Sequence, residues 1–492
     1  MKKLKLVLSI SLLLLILFGF ILIKNNKANN IYENKNKVVK FVNNSISMNL
    51  EQTAGAGDYK TVSRSNWPTE GYKFNTELSR CENGSTLSWD DTRKVVVFSG
   101  SVTDKCYVYF DIYVPTLVEY ITSLYSGTQG ENAIYHHDNT LANGAKDNSY
   151  RYAGGDFKLT KAGKSTGASM IIGYNDSVTD ALINFYCDGT RQGIGYACGS
   201  TKTYYYLIVG DTTEYQTYNS ALDAAVAKGY LTRDNVKNFV CFGSDVSPCP
   251  IDNLYRIIGV IDGKVKLIKW DYAKTNLLGN DGDFSQELTI YLSGNQGESP
   301  SSISLYYWNY KATNSAINTW STSLLNKINL NTNFINNIGN AWSNKIAVTT
   351  WKVGGNTYAN ISPIAMNTAY QNELINPAED ITYDAKVGLM YVSDYGYAAS
   401  SNAWTLMGFN TDFTKSYAFV KEENWLYGGG FDWTITRCSD RPSRAFRISS
   451  FSRISDYDLG DFYGVRPTFN LDVSVTYKSG TGSINDPIIL GD

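Results

Sequence analysis

The chain opens on a short basic stretch, Met1-Lys2-Lys3-Leu4-Lys5. An uncharged, mostly apolar run follows from Leu6 to Ile23, broken only by Ser9, Ser11 and Gly19. About 18 such residues are just enough to cross a hydrocarbon core. The run also exceeds the roughly 7–15 residues of a signal-peptide h-region. Bulky and then basic residues, Phe20-Ile21-Leu22-Ile23-Lys24, leave no small-residue cleavage site, and no cysteine precedes Cys81 for lipoprotein processing. The pattern predicts an uncleaved signal anchor over 1–23, with membrane contact through 6–23. Residues 24–45 are polar, rich in Asn and Lys and without a hydrophobic period, and read as a linker.

Alternation then takes over. Thr61–Ser63, Lys94–Phe98 and Cys106–Tyr113 read as short strands between turn signals at Asn83-Gly84, Trp89-Asp90-Asp91 and Thr103-Asp104. That spacing predicts a small β-sandwich over 46–116. Beyond it, 117–492 carries no Pro/Ser-rich linker. Segment 157–236 differs from its flanks: a strand at Tyr204–Val209 precedes a helix from Thr217, with Leu222, Ala225 and Val226 on one face and Gly229 as its stop. A second helix is predicted over 316–328, from Trp320, Leu324 and Ile328 at helical spacing, and a short third around Phe334, Ile335 and Ile338. Tyr255–Val260 and Lys264–Trp270, joined by Ile261-Asp262-Gly263, form a hairpin pattern.

Seven cysteines add a compartment. Cys187/Cys198 and Cys241/Cys249 are close pairs, Cys81 and Cys106 flank a strand-like segment, and Cys438 is left over. No C-x-x-C spacing suggests zinc. Disulfides in an oxidising compartment account for the spacing; buried thiols in a reducing one are the alternative. A Cys81–Cys106 bridge would close a loop of about 25 residues, worth about 3 kcal/mol in the chain-entropy model. Lys2, Lys3 and Lys5 before the apolar run are nearly balanced by Lys24 and Lys27 after it, so charge does not orient the span. The cysteines do: the expectation is a single-pass cell-membrane protein with an extracellular C-terminal ectodomain. The net charge of −2 gives no electrostatic case for nucleic acid, and none is expected as a partner.

Four segments carry a resemblance. They are Tyr135-His136-His137-Asp138 with Ser149–Gly154; Cys241–Ser244 with Leu254–Val260; Gly388–Tyr397; and Trp433-Thr434-Ile435 with Gly464-Val465-Arg466-Pro467. Together they resemble a bacterial surface-protein domain family of unknown function, with a C-type-lectin-like fold in the branch shared with sulfatase-modifying factors. With the apolar run read above, the resemblance implies an α+β chain: a transmembrane helix, a small β-module, then a mixed α/β lectin-like domain over 117–492 with an insertion at 157–236. Formylglycine-forming relatives use a late cysteine pair, whereas this chain has only Cys438 there. That departure speaks against their activity.

Candidate chemistry is sparse. His136 and His137 are the only histidines, and adjacent residues on a strand do not converge; a structural role is expected. Asn280-Asp281-Gly282-Asp283 places oxygens around a turn, making Asp281 and Asp283 the candidate calcium ligands and calcium the one candidate cofactor. A full site needs roughly 6–8 oxygens, and a tight polar turn is the alternative. Arg466 is read as a core lock, with Asp394 as a plausible partner. The stretch 425–463 is dense in aromatics and arginines, the chemistry of binding hot spots. Trp425, Tyr427, Trp433, Arg437, Arg444, Arg447, Arg453 and Tyr457 are its candidate ligand contacts, lining an accessible groove.

These features favour a surface recognition or adhesion protein for an extracellular glycan or protein ligand. A self-assembling structural component of the envelope is the alternative. A cell-wall-acting enzyme ranks third, because no catalytic constellation is visible and two carboxylates facing across a cleft cannot be read from sequence.

Overall fold

The computed structural model describes residues 46–491, except 64–65, 69–70, 102, 161–169, 173–180, 193–197, 199–201, 233–235, 291–300, 313–316, 359–364, 378–380, 406–423, 429 and 450–452. The chain divides into two compact units, Met1–Val114 and Pro115–Asp492.

In the first unit, alternation along Cys106–Ile112 turns Cys106, Val108 and Phe110 inward. This strand is the hub of a five-stranded sheet. It pairs in parallel with Ile46–Glu51, and antiparallel with Tyr72–Phe74 and Arg80–Cys81. Tyr59–Val62 extends the sheet beyond Ile46–Glu51. A hairpin, Thr86–Asp90 with Val95–Ser99, lays Trp89 edge-on against Phe110 at 5.6 Å. Met48, Leu50, Phe74, Val96, Val108 and Phe110 form the core. Each side chain of this size contributes about 1.5–3 kcal/mol on full burial. Cys81 and Cys106 sit directly opposite in register and are bonded.

The second unit is organised on a seven-stranded sheet. Its order is Val387–Gly388, Thr468–Asn470, Lys264–Lys269, Leu254–Ile261, Tyr150–Tyr152 and Ile134–His136, with Phe239–Cys241 also on Leu254–Ile261. The central hairpin turns through Asp262 and Gly263 at φ of 49° and 69°. That is the left-handed pair a two-residue type I′ turn needs, which the Asp-Gly sequence supplies.

Segment 157–236 builds a separate four-stranded sheet, from Met170–Ile172, Ala181–Cys187, Thr190–Gln192 and Tyr204–Ile208. Its helix, Tyr218–Ala227, begins at Thr217, whose hydroxyl accepts from the Ser220 N–H, and Gly229 follows at φ 69°. The Cys187–Cys198 and Cys241–Cys249 bonds are formed, and Cys438 is a buried free thiol.

The expected second helix lies later than the pattern placed it. A 3-10 turn at Trp320–Thr322 precedes a wide helix over Leu325–Phe334. Asp283 sets that start: its Oδ2 accepts from the N–H groups of Leu324 and Leu325, both at 3.0 Å. These are donors a helix start leaves without intrahelical partners.

Two expectations are corrected. Among the described residues strands take 37% against 19% for helix, which overturns the α+β class with a transmembrane helix ahead of a lectin-like mixed α/β domain. Among the described residues no helix is long and apolar enough to cross a membrane. The run 6–23 and the linker 24–45 lie outside the described residues. The single-pass membrane location therefore has no support here, while the three disulfides point to an extracellular setting.

Candidate ligand-binding pocket

A cavity of about 550 Å³ opens over one face of the seven-stranded sheet. Register explains its floor. Arg151 lies opposite Gly259, Gly259 opposite Lys266, and Lys266 opposite Asn470. Residues directly opposite share a face, so these four form one row across four strands. Lys264, two residues from Lys266, joins the same face. Gly259 keeps the row open: a Cβ there would lie 2.3 Å from the Tyr150 carbonyl oxygen. The other side of the cavity comes from Thr349–Lys352, from Tyr370, Leu374 and Ile375, and from Tyr391 and Asp394.

The floor is charged and locked. Arg151 Nη2 donates to Asp147 Oδ2 at 2.7 Å, and Nη1 lies 3.5 Å from Asp394 Oδ1. Its guanidinium sits 5.3 Å from the Tyr370 and Tyr397 ring centres. Lys266 Nζ donates to Asp394 Oδ2 at 2.5 Å, facing the rings of Tyr391 and Trp351. Tyr370 adds its hydroxyl to Asp147 at 2.7 Å. Asp394 is held in turn by the Tyr391 N–H.

Burial decides how these groups titrate. Desolvation pulls Lys266 below the usual lysine range despite the opposing pull of Asp394. For Asp147 burial pushes up, but Arg151 and the Ser149 and Tyr370 hydroxyls prevail, and the net shift is downward. Arg151 moves upward: burial opposes its charge, and Asp147 and Asp394 outweigh burial. Behind the floor, Glu373 is sealed from solvent and pushed up to about 7 by burial. It accepts from the Ser393 N–H at 3.1 Å and the Thr436 hydroxyl at 2.6 Å.

The mouth is different. Val348 is 64% exposed and Ile375 48%. Thr349, Thr350 and Asn470 add polar groups, and Lys352 donates to the Leu374 carbonyl at 2.7 Å. The cavity thus combines exposed aliphatic contacts with hydroxyl, amide and charged groups of fixed orientation.

The residues singled out from sequence lie elsewhere, and the accessible groove over 425–463 is corrected. Trp425, Tyr427 and Trp433 are at most 1% exposed. The two indoles donate inward, Trp425 to the Tyr152 carbonyl and Trp433 to the Tyr306 carbonyl, both at 2.8 Å. Arg437 and Arg447 are buried too; Arg437 donates to the Gly354 carbonyl. Arg447 is stacked 3.6 Å from the Tyr457 ring centre and near those of Tyr463 and Phe431. Arg444 is half-buried and bound to Asp456, Arg453 is half-buried, and Tyr457 is exposed. The stretch is mostly core because its aromatics pack inward, Arg437 and Arg444 find acceptors, and Arg447 is enclosed by aromatic rings.

At the candidate calcium turn the carboxylates serve the fold's own hydrogen bonds. Both Asp283 oxygens are taken by backbone N–H groups, from Lys311 on one and Leu324 and Leu325 on the other. Asp281 accepts from the Asn333 amide, a donor where a cation would need another oxygen. Among the described residues no group of three or more His, Cys, Asp or Glu could hold a metal ion. Arg466 pairs with Asp432 at 2.7 Å rather than with Asp394. His137 is buried and accepts the Ala145 N–H on Nδ1, and burial pushes it well below the usual histidine range.

Sequence reasoning missed Lys266, Asp147, Trp351, Tyr370 and Glu373. Lys266 did leave a signal: a second lysine on the face of Lys264, between the apolar residues Val265, Leu267 and Ile268 of strand Lys264–Lys269. Comparison with known proteins returns no match, whether to a family model, a curated protein or a solved structure.

Proposed function

We propose that this is an extracellular recognition protein whose second unit binds a glycan in the pocket floored by Arg151 and Lys266. The observation that carries the reading is the preorganised floor. Its charges are held by one another and by Tyr370 and Tyr391, so a ligand meets groups already ordered and little rotamer entropy remains to be lost. The volume of about 550 Å³ lies within the range of roughly 300–1,000 Å³ typical of ligand sites. A sugar presents hydroxyls for Thr349, Thr350 and Asn470, and C–H faces for Val348 and Ile375. Three disulfides suit an oxidising exterior, where glycans are the abundant polar ligands.

The test is a glycan array probed with the folded full-length chain. Selective retention on one class of saccharide is expected. A folded protein that binds nothing on a broad array overturns the reading.

A further inference from the structure

We propose that Lys266 and Asp394 become joined by an intramolecular amide bond, formed by condensation of the lysine amine with the aspartate carboxyl. The bond would be a covalent modification of the pocket floor, and it does not depend on what the pocket binds.

The geometry assembles the reactants. Nζ and Oδ2 are 2.5 Å apart, on side chains only 6% and 2% exposed. Aromatic walls flank the amine, with Tyr391 at 4.6 Å and Trp351 at 5.5 Å. A fixed pair in a dry site turns a bimolecular condensation into an intramolecular one, which removes most of its entropic barrier. Arg151 Nη1, 3.5 Å from Oδ1, is placed to take the negative charge that grows on that oxygen as nitrogen adds to Cγ. Glu373, close enough to act electrostatically on both Lys266 and Asp394, is the group assigned as proton shuttle. It is fully buried and anchored on the N–H of Ser393, the residue before Asp394.

The step balances without a co-reactant. The Nζ–Cγ bond forms and the Cγ–Oδ2 bond breaks. Two of the three ammonium protons leave with Oδ2 as water, passed through the Glu373 carboxyl, which ends in the state in which it began. Oδ1 remains as the amide carbonyl beside Arg151. Burial favours the states this needs: it eases deprotonation of Lys266 and brings Glu373 to about 7, where it can both give and accept a proton.

The product is also the better occupant of the site. Two opposite charges in a low-dielectric interior carry a desolvation cost that their attraction repays only in part. A neutral amide removes both and leaves the Arg151–Asp147 pair as the charged part of the floor. The bond would tie strand Lys264–Lys269 to the helix Val392–Tyr397 across 128 residues of chain.

Peptide mapping of the wild-type full-length chain tests this directly. After reduction and trypsin, the expected species is a branched peptide joining 265–269 to 387–415. Its mass should be the sum of the two minus one water, with Lys266 uncleaved. Glu373→Gln should fold, by circular dichroism, yet give 387–415 unlinked and Lys266 cleaved; Lys266→Arg should likewise give 387–415 unlinked. Asp394→Asn should give the same branched peptide as wild type, with ammonia leaving instead of water. Recovery of cleaved Lys266 and unmodified 387–415 from folded wild-type protein overturns the proposal. An unchanged yield of linked peptide in Glu373→Gln removes Glu373 from it.

Discussion

Arg466 Nη2 donates to Asp432 Oδ2 at 2.7 Å, with both side chains at most 2% exposed, and the same nitrogen reaches the Leu426 carbonyl at 2.8 Å. This pair ties the strand that begins at Asp432 to the segment carrying Trp425, and it holds 425–428 in the interior. Burial pushes Asp432 up and Arg466 pulls it back. Removing one partner strands the other charge, at a cost of about 3–5 kcal/mol. Asp432→Asn should therefore lower urea-unfolding stability by that amount. A loss within the ordinary surface range, under about 0.5 kcal/mol, would show that the pair is not a lock.

The Cys81–Cys106 bond closes 25 residues of the first unit. In the chain-entropy model such a loop is worth about 3 kcal/mol. Hydrogen exchange of the Val108 and Phe110 amides reports on that unit alone. The Cys81→Ser/Cys106→Ser double variant should speed their exchange by about a hundredfold, as expected for a loss of that size. Unchanged protection would mean that the apolar core carries the unit without its staple.

Glu373 makes stability depend on pH. Its ordinary value is 4.5 and burial lifts it to about 7. Between the two, the folded state keeps a proton that the unfolded state has released. The stabilisation is complete below the unfolded value and is lost as pH rises through the folded one, roughly 3 kcal/mol in all. Glu373→Gln cannot release a proton, so its stability relative to wild type should climb between about pH 5 and about pH 8. Denaturant curves that stay parallel over that window would contradict the assignment.

Gly259 sits in the middle of the charged row, where a Cβ would lie 2.3 Å from the Tyr150 carbonyl oxygen. Backbone cannot swing aside as a side-chain tip can. Gly259→Ala should cost about 1–3 kcal/mol in thermal unfolding and push the Arg151 strand away from Lys266. An unchanged melting curve would mean that the strands have slack the geometry does not show.

Local signals were legible, and convergent ones were not. Asp262-Gly263 announced its hairpin and Thr217 its helix start, because both depend on neighbours a few residues away. Two cysteine pairs stood close in sequence and a third flanked a strand-like segment; the fold bonds all three. The aromatic and arginine density of 425–463 was visible too, but its direction was not. Trp433 looks the same on paper whether its indole faces water or the Tyr306 carbonyl, 127 residues away. The pocket suffers the same blindness. Lys266 meets Asp394 across 128 residues, and no local pattern records that meeting. The motifs at Ser149–Gly154 and Gly388–Tyr397 did contain Arg151 and Asp394, without showing that they share one cavity. The Asp283 turn read two ways from sequence because its oxygens serve backbone donors from distant segments.

The central claim is that ligand enters the cavity over Arg151 and Lys266, and filling its mouth tests it most directly. Thr350 is exposed and lines the cavity, so Thr350→Trp blocks the entrance without disturbing the floor. Titration calorimetry with the glycan selected on the array should show one site in the wild-type chain and at least a tenfold weaker affinity, about 1.4 kcal/mol, in the variant. Equal affinity in the two proteins, both folded, would place the ligand elsewhere and contradict the account.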